Sequence, residues 1–101
     1  FDLQLDPNSH RISIEDRPTE KGPTEFRLLK FFQLNQEKVF NRDQIQDSVW
    51  GANVYLEERT IDVHIRRLRK ALSSVKGIAI DYSKLIQTVR GAGYRFSIRP
   101  F

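Results

Sequence analysis

The chain contains no cysteine and no methionine, has a single tryptophan, and nowhere runs more than three apolar residues together, as in Ile78-Ala79-Ile80. Without cysteine there is neither a disulfide framework nor a thiolate zinc site, a pattern that suits a reducing compartment such as the cytoplasm. The two histidines, His10 and His64, stand far apart and outside any ligand-spaced cluster, so no metal centre and no cofactor are expected. A membrane span needs about 20 predominantly apolar residues, and nothing here approaches that; no leader segment is visible either. The missing methionine and the opening Phe1 point to a fragment or a processed form.

Acidic residues are scarce in one half only. The 101 residues carry 17 Lys and Arg against 13 Asp and Glu, for a net charge of +4. Between Arg59 and Lys76 stand six cations and one acid, and from Lys84 to Phe101 four cations and no acid, so the remaining residues are net acidic. Such asymmetry calls for an anionic partner of the C-terminal half, nucleic acid before anionic lipid. At 39% hydrophobic residues the chain has enough apolar material for the core of one domain, taken as 1–101.

Residues 1–21 alternate apolar and polar through Leu3, Leu5, Ile12 and Ile14, broken by Asp6-Pro7-Asn8-Ser9 and Glu15-Asp16-Arg17-Pro18, which predicts a small antiparallel sheet. Three helices follow within 22–74. The first begins at Gly22-Pro23-Thr24-Glu25, runs to about Leu34 and buries Phe26, Leu28, Leu29, Phe31 and Phe32. The second opens on Asn41-Arg42-Asp43-Gln44, where Asn and Gln can cap reciprocally; it buries Ile45 and Val49 and stops at Gly51. The third, Glu58 to Ser74, carries Ile61, Ile65, Leu68 and Leu72 on one stripe. After a loose stretch from Val75 to Lys84, the β-prone runs Leu85–Val89 and Tyr94–Ile98 flank Arg90-Gly91-Ala92-Gly93, predicting a hairpin over 85–99.

With about 100° per residue and Ile61 set at zero, Arg59, Arg66, Lys70, Val63 and Arg67 fall opposite the core stripe, Arg69 and Thr60 on its shoulders, and His64 beside it. A helix carrying four cations around Val63 matches a B-form major groove about 12 Å wide, where guanidinium forks onto phosphates or guanine and Val63 meets a thymine methyl. Asp62, the lone acid between Arg59 and Lys76, is expected to pair with Arg66 or to favour the helix N-terminus, with acceptance from cytosine N4 as the alternative. Arg90, presented on a glycine tip, suits a narrow minor groove, with Thr88 and Tyr94 offering hydroxyls to phosphates. Catalysis is not expected: Glu57, Glu58 and Asp62 read as capping or solvated acids, Ser9-His10 lacks the geometry of a nucleophile and base, and no phosphate-cradling loop appears. Two other readings are a protein-interaction module turning the basic helix onto an acidic partner, and an RNA binder, for which exposed stacking aromatics are missing.

Read together, Gly22-Pro23-Thr24-Glu25-Phe26-Arg27-Leu28-Leu29, Val49-Trp50-Gly51, the run from Glu58 to Leu72 and Gln87 to Phe96 resemble the DNA-binding effector domain of OmpR/PhoB-family response regulators. The resemblance implies an α+β winged helix-turn-helix: a four-stranded N-terminal antiparallel sheet, three helices and a C-terminal β-hairpin wing. It further implies major-groove reading by the third helix, minor-groove entry by Arg90, and DNA contacts at Arg59, Thr60, Val63, His64, Arg66, Arg67, Arg69, Thr88, Arg90 and Tyr94, to which the helical wheel adds Lys70. The loop holding Trp50, Gly51, Leu56, Glu57 and Glu58 is implied to meet the sigma subunit of RNA polymerase. Also implied are head-to-tail pairs on direct-repeat sites of double-stranded DNA, a receiver domain not present in this chain, a cytoplasmic, nucleoid-associated location, and activation of phosphate-starvation genes.

Overall fold

A computed structural model describes residues 3–19, 22–75, 77–78 and 80–98. It opens with strands β1 (Leu3–Asp6), β2 (Arg11–Ile14) and β3 (Arg17–Thr19), paired antiparallel in the order β1-β2-β3. The register sets Leu3 against Ile14 and Leu5 against Ile12, so the alternating apolar residues share one face, and Ile12 and Ile14 are fully buried. The second turn is shorter than its composition suggests. Only Glu15 and Asp16 make it, both with positive φ, which matches the twist of a two-residue hairpin and lets Arg17 and Pro18 join β3. Pro18 fits there because β3 is an edge strand, where a missing N–H costs no ladder bond.

Helix α1 (Pro23–Leu34) starts at Gly22 with Pro23 in its first turn, and α2 (Arg42–Val49) starts with the expected capping box. The Gln44 amide donates to Asn41 Oδ1 at 2.8 Å while the Asn41 amide donates to Gln44 Oε1 at 2.9 Å. Helix α3 (Glu58–Leu72) ends slightly before Ser74, because the Ser73 and Ser74 hydroxyls turn back onto the Lys70 and Ala71 carbonyls. The stripe Ile61, Ile65, Leu68 and Leu72 meets Phe26, Leu28, Leu29 and Phe32 of α1 in one core cluster with Ile45.

Two expectations about sheet and linker give way. Among the described residues the N-terminal sheet has three strands, not four, because the next strand, β4 (Val39–Phe40), joins the hairpin of β5 (Ile86–Val89) and β6 (Gly93–Phe96) in the order β4-β6-β5. Only the end of the stretch from Val75 to Lys84 departs from a loose connection: Tyr82–Leu85 form a 3-10 turn capped by Asp81, and Tyr82 and Leu85 drop into the core against α3. Leu85 thus belongs to that turn, and the hairpin starts at Ile86. Gly93 has φ 139°, and a Cβ there would overlap the Phe40 carbonyl, so the β4–β6 approach requires glycine. Beyond β6, Glu37 receives the Ser97 hydroxyl at 2.7 Å and the Ile98 amide at 3.1 Å, pinning the chain as it leaves the hairpin. Lys76 and Arg99, counted above among the cations, and the predicted sheet positions 1–2 and 20–21 lie outside the described residues.

Candidate nucleic-acid interface

Once its apolar stripe is buried, α3 must turn its opposite face outward. Arg59, Arg66, Arg67 and Lys70 are exposed there around a half-buried Val63, as the helical wheel predicts. None of the four makes a side-chain hydrogen bond or ion pair among the described residues. Arg90 is likewise exposed and unpaired, on a turn closed by the Ala92 amide donating to the Val89 carbonyl at 2.9 Å. The tip and the N-terminal ends of α2 and α3 border an open cleft of about 460 Å³ lined by Arg42, Glu58, Thr88, Arg90 and Tyr94. Unpaired, solvated cations on a rigid helix and an adjoining tip form a surface whose natural complement is a row of phosphates.

Other predicted contacts are already engaged within the protein. Asp62 does not pair with Arg66. Its carboxylate receives Arg42 Nε at 2.8 Å and Arg42 Nη2 at 3.1 Å from α2, and the Tyr94 hydroxyl at 2.5 Å from β6. Across the i, i+4 gap Arg66 faces solvent, whereas Arg42 approaches from a neighbouring helix in bidentate geometry and wins. The Arg42 bonds, helped by Tyr94, hold the Asp62 carboxyl below its ordinary pKa; burial and the bond to Asp62 push the Tyr94 phenol up. Arg69 is half-buried, and that burial lowers its pKa. It donates to the Ile86 carbonyl at 3.0 Å and to Thr88 Oγ1 at 2.8 Å, both on β5. The Arg42 and Arg69 guanidiniums both lie over the Tyr94 ring, 5.9 and 5.7 Å from its centroid. Thr60 is half-buried, and Thr88 is exposed but occupied by Arg69.

His64 leans inward from α3. Its Nδ1 lies 3.2 Å from Glu25 Oε1 of α1, and its ring packs at 5.3 Å against Trp50 at the end of α2. Neither partner was singled out for His64 from the sequence. Glu25 suits the first turn of α1, but only the packing of α1 on α3 brings its buried carboxylate to the imidazole.

The loop between α2 and α3 is of opposite character. Trp50 and Leu56 pack against the core while Glu57 and Glu58 stay exposed, and from Asp43 to Glu58 the chain has four acids and no cation. The Gln46 side chain clips this loop to α2, donating through Nε2 to the Val54 carbonyl and accepting the Leu56 amide at 3.4 Å. Tyr55, between the clipped residues, is 85% exposed. Sequence reasoning missed Arg42, Gln46 and Tyr55. The signal for Arg42 was present, since it is the only cation between Asn41 and Glu58 and so the obvious partner for an acid on α3.

Comparison with known proteins agrees with this fold. Residues 16–96 match the family model described as transcriptional regulatory protein, C terminal. The chain is 60% identical over 97 residues to the phosphate regulon transcriptional regulatory protein PhoB of Pseudomonas aeruginosa and 55% identical to PhoB of Escherichia coli, in each case over 96% of this chain and 40% of the relative. It therefore spans about two-fifths of the length of these relatives. Among solved structures, the DNA-binding domain of the response regulator AdeR in complex with an intercistronic region superposes with a TM-score of 0.79 at 29% identity, covering 96% of this chain and 95% of that one. The Klebsiella pneumoniae RstA DNA-binding domain in complex with the RstA box gives 0.76 at 25% identity, over 100% and 94%.

Proposed function

The chain belongs to the family of transcriptional regulatory protein C-terminal domains, of the OmpR/PhoB winged-helix type, and from that premise we propose that it binds double-stranded DNA sequence-specifically to activate phosphate-regulon genes. Helix α3 enters the major groove with Arg59, Arg66, Arg67 and Lys70 outward, and Arg90 on the hairpin enters the adjacent minor groove. The observation that carries this reading is the set of five exposed cations on α3 and the neighbouring tip that have no partner among the described residues. Arg67 beside Val63 reads a base edge, and Arg66 meets a phosphate. Asp62, Arg69 and Tyr94 act behind that surface by holding its parts, and His64 stays packed against α1 with its outer edge toward the DNA backbone.

The α2–α3 loop, with Trp50, Gly51, Leu56, Glu57 and Glu58, meets the sigma subunit of RNA polymerase through its acids and the outward Tyr55. Two copies sit head to tail on direct repeats, in the cytoplasm where bacterial DNA lies. Selection of bound duplexes from a random pool, then titration of the selected site against salt, tests the core of the reading. About four to six phosphate contacts give a log-affinity against log-salt slope of roughly −4 to −5. Binding indifferent to salt, or selection that yields no preferred sequence, overturns it.

A further inference from the structure

Besides their shared core, side-chain hydrogen bonds tie the hairpin to α3 at two places among the described residues. Near the helix start, the Tyr94 hydroxyl of β6 donates to Asp62, which is itself locked bidentately by Arg42 of α2. Seven residues on, about 10 Å further along the helix axis, Arg69 donates to Ile86 and Thr88 of β5. Strand β4 and the core already hold the base of the hairpin, and two separated attachments to α3 further fix its angle against that helix. The Tyr94 ring is near both, with the Arg42 and Arg69 guanidiniums 5.9 and 5.7 Å from its centroid. Asp62 has little left to offer DNA: Oδ1 already accepts from Arg42 and Tyr94, and Oδ2 accepts from Arg42.

We propose that Asp62, Tyr94 and Arg69 are positioning residues that set the hairpin tip relative to α3, so that Arg90 and Arg67 meet their base pairs in one fixed register. The proposal rests on the two-groove reading given above. Asp62 lies on the reading helix yet contributes to sequence preference only through the tip that it anchors. Recognition groups tolerate misorientation of only about 10–20°, so freeing one anchor blurs what the tip reads and leaves the helix reading intact.

The test uses this chain and duplexes selected from a random pool. Arg90→Ala identifies the base pairs read by the tip, and Arg67→Ala those read by α3. Tyr94→Phe removes one oxygen from the anchor and Asp62→Asn removes its charge, with thermal melting of each variant verifying the fold. The expected result is a loss of preference of about fivefold at the tip's base pairs, the factor carried by one lost hydrogen bond of ordinary strength, with preference at the helix's base pairs unchanged. The double variant should lose no more than the worse single one, because both act through the same bond. An equal loss at both sets of base pairs, no loss at either, or a changed preference at a helix-read pair on Asp62→Asn overturns the proposal. If Arg90→Ala itself erases no preference, the minor-groove reading fails and takes this inference with it; if Arg90→Ala does and Tyr94→Phe does not, only the inference fails.

Discussion

Arg67 and Arg69 stand two residues apart on α3, and they mark two different regions. The outer face, with Arg59, Arg66, Arg67 and Lys70, consists of solvated cations that make no bond within the protein among the described residues. In the seam between α3 and the hairpin the arginines are bonded within the protein: Arg42 to Asp62, which also takes the Tyr94 hydroxyl, and Arg69 to β5. A guanidinium in the seam that lost its acceptors would remain half-buried and unsatisfied, whereas one on the outer face is already hydrated. Loss in the seam therefore registers in stability as well as in what the tip reads, whereas loss on the face registers in affinity alone. Residue type and helix are shared; the neighbours supplied by α2 and by β5 and β6 make the difference.

The strongest way to break the seam is to separate the sheet behind it. Gly93→Ala places a methyl group onto the Phe40 carbonyl at a positive-φ position, and should cost about 3 kcal/mol or more, read as a lower denaturant midpoint. A direct contrast comes next. Arg69→Ala should lose about 2 kcal/mol of stability by orphaning the Ile86 carbonyl, while the exposed Thr88 hydroxyl turns to water. Arg67→Ala should stay within about 0.5 kcal/mol in stability yet lose about 1–3 kcal/mol of affinity at one base position; equal stability losses in the two variants would erase the distinction between seam and face.

Acid offers a gentler probe of the seam. Because Arg42 holds the Asp62 pKa below its unfolded value, the stabilisation is full above about pH 4 and fades as pH falls through the lower folded value. The stability gap between the wild-type chain and Asp62→Asn should accordingly be widest near neutral pH and close in acid, as followed by urea unfolding at each pH. The smallest expected effect lies on the outer face: Arg66→Ala should weaken all duplexes nearly equally and make the salt slope shallower by about one. Sequence-selective loss from Arg66→Ala would reverse the roles given to Arg66 and Arg67.

Much of this was readable from local rules. The capping box at Asn41, Pro23 at the first position of α1, and the four-three-four spacing of Ile61, Ile65, Leu68 and Leu72 each concern residues within a turn of one another, so their outcome needs no distant partner. The burial of Tyr82 and Leu85 was missed because a short 3-10 turn has too few residues to show a period, and its stability comes from the α3 face on which it packs. The pairing of Asp62 was misassigned for a related reason. The helical i, i+4 rule considers one helix alone, and Arg42 comes from another helix twenty residues away in sequence.

By itself the sequence determined the kind of surface: helix α3 with an apolar stripe and a cationic reverse, and a glycine-tipped hairpin with an arginine at its mouth. Periodicity and charge run along the chain and can be read there. Tertiary structure alone decided which cations remain available, by bringing Arg42, Asp62, Tyr94 and Arg69 together from α2, α3 and β6. Hydrogen bonding acts only over about 3 Å, so its partners are settled by which elements pack side by side.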